Sequence, residues 1–137
     1  MISGGADKIQ FFELNSRKLK EIININRYLL GSCNFLCMMN ERCLCEGGKD
    51  KITLIDVYQK NIIREIEGKC THICLYKLND NILLTGNKCD ITQWKISQTN
   101  LKLKSKKEKA LQSSIREIIR FNKFIISCSD DHSIKIW

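Results

Sequence analysis

Proline is missing from all 137 residues of this chain, and aromatic side chains make up only 7% of it. Without proline no stiff linker divides the sequence, and at this length a single domain with one core is the expectation. Long apolar runs are missing as well. The longest near the middle, 35–39, falls far short of the ~20 residues that cross a bilayer. Asp7 and Lys8 interrupt the N-terminal stretch where a secretory signal needs an apolar segment. The sequence also holds no Asn-x-Ser/Thr acceptor. A soluble protein of the cytoplasm, or of the nucleus, is therefore expected.

Cysteine is the residue in unusual supply, with eight copies. In a secreted chain these would suggest a disulfide framework. Here they sit in apolar, strand-like runs and no secretory signal is visible, so small buried thiols are the expected role. Hydrophobic residues at 43% and charged residues at 28% fit a globular protein and exclude a wholly disordered one.

A repeat organises the rest. Aligning GADKIQFFEL from Gly5, GKDKITLIDV from Gly48, NKCDITQWKI from Asn87 and SDDHSIKIW from Ser129 puts Phe12, Ile55, Trp94 and Trp137 in register, spaced 43, 39 and 43 apart. An independent marker agrees: Asn40, Asn79 and Asn122 each lie 15 residues before Ile55, Trp94 and Trp137. Each period carries the same grammar. A first apolar alternation ends at the Asn of a hairpin turn, and a compact apolar strand follows (CLCEGG, ILLTGN, FIISCS). A turn then leads into an alternating strand (ITLIDV, ITQWKI, SIKIW), and a more amphipathic run closes the unit. Four short strands per period of about forty residues predict an all-β meander.

The unit resembles the WD repeat of β-propellers, in which each repeat builds a four-stranded antiparallel blade. Residues 127–137 match best. Ser127 ends the second strand, Asp131 stands in the tight turn, and Trp137 ends the third strand. Trp94 repeats the tryptophan, and Ile55-Asp56 keeps the Asp of the signature pair. Asp7 and Asp50 fall near the turn positions, with Asp90 one residue off. The resemblance implies a buried network of Trp, strand Ser or Thr, turn Asp and the His of a Gly-His pair. That pair survives only as Gly68-Lys69, and neither His72 nor His132 takes its place. Blades that lean on apolar packing more than on this network are expected.

Counted from the markers, 1–25 supply the third and fourth strands that end a blade, 31–67 and 70–104 supply whole blades, and 113–137 supply three strands of another. About three repeats do not close a ring that typically needs four to eight blades. The chain is expected to belong to a larger propeller, to complete a ring with a second copy or another protein, or to stand as an open arc.

Chemistry is expected to be absent. Cys70, His72 and Cys74 would share one face of an extended strand, and that face aligns with Cys33 and Cys37 at the equivalent strand of the preceding unit, but buried strand-core cysteines rather than the converging four-ligand set of a zinc site are the expected reading. Two histidines without a partnered nucleophile make no catalytic set, and no nucleotide-binding or HExxH motif occurs. No catalytic residue, metal or cofactor is therefore expected. The basic excess is local: 101–123 carry Lys102, Lys104, Lys106, Lys107, Lys109, Arg116, Arg120 and Lys123 against Glu108 and Glu117, six of the net +8. An exposed outer strand guarded by lysine accounts for it. The alternative is a surface for nucleic acid or anionic lipid through 102–109. Aromatics that would stack on bases are missing from 101–120, which disfavours base-specific recognition. The resemblance implies a non-catalytic scaffold whose loops meet partner proteins, with Asp50, Lys51, Lys88, Asp130 and His132 as exposed contact candidates.

Overall fold

A computed structural model of the chain describes residues 2–4, 8–12, 18–24, 35–48, 51–67, 73–97 and 100–137. The described residues form fourteen β-strands and no helix, in four antiparallel sheets. The leading sheet holds β1 (Ile2–Gly4), β2 (Lys8–Phe12) and β3 (Leu19–Asn24). The second holds β4 (Phe35–Met38), β5 (Cys43–Gly47), β6 (Lys51–Asp56) and β7 (Asn61–Glu67). The third holds β8 (Ile73–Asn79), β9 (Ile82–Asn87), β10 (Asp90–Ser97) and β11 (Asn100–Lys107). The trailing sheet holds β12 (Ile115–Phe121), β13 (Phe124–Ser129) and β14 (Ile134–Ile136). Every sheet is a simple meander, as hairpin-length connections between antiparallel strands require.

The turn grammar has a visible cause. The Asn40 side-chain oxygen accepts hydrogen bonds from the N–H groups of Arg42 (2.9 Å) and Cys43 (2.7 Å), and that of Asn79 from the N–H of Asn81 (2.9 Å). Asn122 adopts φ 53°. Asparagine closes tight turns in both ways, through its amide oxygen and through its tolerance of left-handed backbone. Asp56 does more than cap. One carboxylate oxygen accepts from the N–H groups of Tyr58 and Gln59 (both 2.9 Å), and the other pairs with Nε of Arg42 at 2.6 Å. This ties the β4–β5 and β6–β7 turns together at one end of the second sheet.

Two boundaries differ from the sequence expectation. The leading segment carries three strands rather than two, because Ile2, Ser3 and Gly4 pair with Phe11, Gln10 and Ile9. Three residues including a glycine are too short a run for periodicity to register. The outer strand of the third sheet continues to Lys107, past residue 104, with a bulge at Gln93/Trp94 absorbing one extra residue.

Alternation along the strands sends successive side chains to opposite faces, and facing sides of successive sheets pack together. Three apolar clusters result, one per joint. Ile9 of the leading sheet packs with Leu44 and Ile55 of the second. Cys45, Ile52 and Leu54 of the second sheet pack with Leu83, Ile96 and Leu101 of the third. Cys74 and Leu84 of the third pack with Leu111, Ile115 and Ile118 at the start of the trailing sheet. A sheet covered on both sides has no polar face left, which is why β5 is buried along its whole length. Gly86 permits the third joint: a Cβ there would lie 2.4 Å from Sγ of Cys74 and 2.7 Å from Cγ2 of Ile115.

Candidate interaction surface

The two tryptophans are held alike. Trp94 donates its indole N–H to the Thr85 hydroxyl at 2.9 Å, and Trp137 donates to the Ser127 hydroxyl at 3.0 Å. Thr85 and Ser127 occupy the same place in β9 and β13, and both are buried. The expected pairing of Trp137 with Ser127 is thus present. The matching pair in the third sheet, Trp94 with Thr85, carries no sequence signal of its own, because it depends on the register of β9 against β10. In the second sheet both members are replaced together: Ile55 stands where the tryptophan would be, and the fully buried Glu46 stands where the hydroxyl would be.

Two turn acids pin the segment that joins the third sheet to the trailing one. Asp90 accepts from the N–H of Lys109 at 2.9 Å, and Asp131 accepts from the N–H of Gln112 at 2.7 Å. Asp131 also accepts from the hydroxyl and the N–H of Ser133. The hydroxyl of Ser133 and the amide of Gln112 hold its carboxyl down at about 2. For Asp90 burial acts upward, but the ammonium of Lys106 and the amide of Lys109 outweigh it, and the net direction is down. The connector between β11 and β12 is therefore fastened at Lys109 and at Gln112. Ala110 and Leu111 are buried within it, and Nζ of Lys135 donates to the carbonyl of Ala110 at 2.8 Å. Asp7 and Asp50, also expected at turn positions, lie outside the described residues.

The basic stretch divides. Lys102, Lys104, Lys106, Lys107 and Lys109 are all exposed. Lys106 is committed to Asp90 at 2.8 Å and to Glu108 at 3.2 Å. Lys107 lies over the Trp137 ring, 5.8 Å from its centre. Asp130 is held by both nitrogens of an Arg116 fork at 2.6 Å. His132 sits exposed in the turn at φ 62°. Lys51 pairs with Glu65 at 2.5 Å, and Lys88 is an exposed turn residue at φ 44°. These side chains are spread over several turns and one edge strand and do not converge on a common point.

The cysteine stretch likewise does not assemble a site among the described residues. Cys33, Cys70 and His72 lie outside them. Burial pushes the Cys74 thiol up to about 12, and raises Cys45 well above the ordinary range. Thiols held protonated are poor nucleophiles and poor metal ligands. No group of three or more His, Cys, Asp or Glu side chains among the described residues is placed to hold a metal.

Two surface features stand out instead, both on the trailing sheet. A cavity of about 260 Å³ opens at its joint with the third sheet, lined by Leu84, Ile91, Gln93, Lys107, Ile125 and Trp137. The preceding joint is filled at the equivalent places. Leu54 stands where Gln93 does and Ile66 where Lys107 does, and both pack in the cluster around Leu83 and Trp94. The second feature is the far face of the trailing sheet. Ile119, Ile126 and Ile136 line up across its three strands, with Ile134 beside Cys128. A shallow pocket of about 150 Å³ lies among Glu117, Ile119, Ile126 and Ile134.

Stacked antiparallel meanders of this kind, joined face to face by apolar clusters, are blades of a β-propeller, here an arc that does not close on itself. The chain is similar to the crystal structure of the computationally designed Ika4 protein, with a TM-score of 0.73 at 18% identity over 99% of this chain and 82% of that one. It is also similar to a chain in the crystal structure of a mitotic checkpoint complex, with a TM-score of 0.81 at 13% identity. That match covers 99% of this chain and 42% of the other, so this chain spans less than half its length. No family model matches the chain, and no curated protein sequence matches it. Likeness at these identities establishes the fold alone.

Proposed function

We propose that the chain is a non-catalytic protein-interaction scaffold of the WD-repeat type, a part of a larger propeller or a partner in a multiprotein assembly. One observation carries this reading. The far face of the trailing sheet bares Ile119, Ile134 and Ile136, at 44%, 71% and 65% exposure, whereas the equivalent residues Ile52 and Leu54 of the second sheet are 3% and 0% exposed. A row of exposed isoleucines across one sheet face suits a surface that a further blade or a protein partner covers. The repeat grammar and the two tryptophan–hydroxyl pairs support the WD-type assignment. Free thiols throughout the described cysteines suit a reducing compartment, the cytoplasm or the nucleus.

A basic module for nucleic acid or anionic lipid is not favoured, because Lys106 is already paired, Lys102, Lys104 and Lys107 run along the outer edge strand β11, and Lys109 lies in the turn beyond it. The test is retention of a defined protein companion in high salt, reconstituted from purified components at fixed stoichiometry. It is expected to survive neutralising Lys102, Lys104 and Lys107 together, and to be lost from Ile134→Lys. Steeply salt-dependent heparin or RNA binding that disappears with the lysines, and no protein companion, would overturn the scaffold in favour of the basic module.

A further inference from the structure

The second and third sheets carry opposite charge at one matched position. Leu44/Ile55 and Leu83/Trp94 are equivalent cross-strand pairs, so Asp56 and Lys95 stand at the same place in β6 and β10. Asp56 lies opposite Asn61, and Lys95 lies opposite Lys102. In the second sheet the position therefore holds a buried carboxylate, closed off by Arg42 at 2.6 Å and by the turn amides of Tyr58 and Gln59. In the third sheet it holds two lysines on directly opposed residues of neighbouring strands, with Cβ atoms about 5 Å apart, and like charges so placed repel.

No acid relieves them among the described residues. Arg42, Lys51, Lys77, Lys106 and Arg116 are each paired with a carboxylate. Lys95, Lys102 and Lys104 are exposed and have no such partner. The β8–β9 turn abuts the end of β10, where the N–H of Ile96 donates to the carbonyl of Asn81 at 2.7 Å, but the acid of that turn, Asp80, is taken by Lys77 at 2.7 Å. Arg64 of the second sheet brings a further positive charge to the start of β11, its Nη1 donating to the Asn100 side chain at 2.6 Å. Guarding a sheet edge requires charge but not a single sign, and β7, the outer strand of the second sheet, sets Arg64 beside Glu65. The third sheet has a neighbour on either side, so these lysines belong to the interior of the arc.

We propose that Lys95 and Lys102, flanked by Lys104, are the docking site of an acidic segment of a protein partner, one carboxylate of which sits between the two ammonium groups as the counterpart of Asp56 in the second sheet. This rests on the scaffold reading, since it names the chemistry of a partner, and it takes a surface separate from the isoleucine face. Exposed ion pairs are screened by salt, so this contact adds little to retention in high salt through Ile134.

The test is fluorescence anisotropy of a labelled hexaglutamate peptide titrated with the 137-residue chain at low salt, with far-UV circular dichroism confirming that each variant is folded. The wild type is expected to bind. Lys95→Gln and Lys102→Gln are each expected to weaken binding about fivefold, the upper range for an exposed ion pair, and the double variant by less than the product of the two, because one carboxylate uses both lysines. Lys88→Gln removes the same charge from an exposed turn and is expected to change binding by no more than about twofold. Lys95→Asp restores the acid that the second sheet carries; it is expected to abolish peptide binding and to raise the urea midpoint at low salt, a gain that disappears in high salt. A wild-type protein that ignores the peptide overturns the proposal, and so does an equal loss from Lys88→Gln and Lys95→Gln, which would mean general attraction to a basic surface. Inorganic phosphate displacing the peptide far below the concentration of succinate, a carboxylate of similar charge, would make this a phosphate site and overturn the acidic segment. Ile134→Ser is expected to leave peptide binding unchanged, so a peptide site that fails leaves the scaffold reading standing, and an isoleucine face that retains no companion removes that reading by a separate measurement.

Discussion

Gly86→Ala is the smallest change that tests how the arc is held together. The added Cβ would fall 2.4 Å from Sγ of Cys74 and 2.7 and 3.0 Å from Cγ2 and Cβ of Ile115, where ordinary contacts lie near 3.5–4.0 Å. Neither neighbour yields easily. Ile115 is branched at the clashing atom, buried, and anchored by its N–H to the carbonyl of Lys88 at 2.7 Å. Relief therefore means sliding β12, and the trailing sheet with it, away from the third sheet. Overpacking of this kind costs about 1–3 kcal/mol, offset by about 0.4–1 kcal/mol because alanine restricts the unfolded chain more than glycine does. A net loss of roughly 1–2 kcal/mol follows. With a urea slope of about 1–3 kcal/mol/M, the far-UV circular dichroism midpoint is expected to fall by about 0.3–2 M. In a Cys74→Ala background part of the clash is gone, so the same substitution is expected to cost less. A Gly86→Ala protein with an unchanged or higher midpoint would refute the close approach as the determinant of this joint.

Three further outcomes are expected. Thr85→Val and Trp94→Phe each remove one member of the indole–hydroxyl pair, and each is expected to cost about 1 kcal/mol, with the double variant costing less than the sum of the two in a denaturation cycle. Gln93→Leu restores the side chain that seals the preceding joint. It is expected to raise stability by about 1 kcal/mol while shrinking the 260 Å³ cavity, and a lower midpoint would count against the equivalence of the two joints. Asp131→Asn is expected to lower the midpoint at neutral pH. Because the folded carboxyl is held at about 2, below its ordinary value near 3.9, its contribution is complete above about pH 4 and is lost as pH falls toward 2. The difference between variant and wild type should accordingly shrink across that window, and a gap that persists at pH 2 would assign the effect to something other than charge.

The strands were legible because their causes are local. A period of two, an asparagine at a fixed distance before each anchor strand, and a turn acid between two apolar runs all act within a few residues, and β5, β9 and β13 start where the apolar runs CLCEGG, ILLTGN and FIISCS start. Burial was not legible, because it is decided by what stands on a face. Ile52 and Ile134 are the same residue type at the same register, and one is buried while the other is 71% exposed. The lysine stretch shows the same limit. Its charge could be counted, but the pairing of Lys106 with Asp90 depends on β10 and β11 lying side by side. The glutamate in the hydroxyl slot gave no warning either, since a buried Glu46 is visible only once β5 is covered on both faces.

The chain has two tryptophans, and each one sits at a single joint: Trp94 between the second and third sheets, Trp137 between the third and the trailing sheet. Intrinsic fluorescence is therefore divided between two reporters of sheet-to-sheet contact. Phe12 already fills the same slot in the leading sheet, so a phenylalanine at either position mutes one reporter with a side chain that the repeat itself uses. The emission that remains reads the opening of a single joint, and the order in which the sheets part becomes a question of colour.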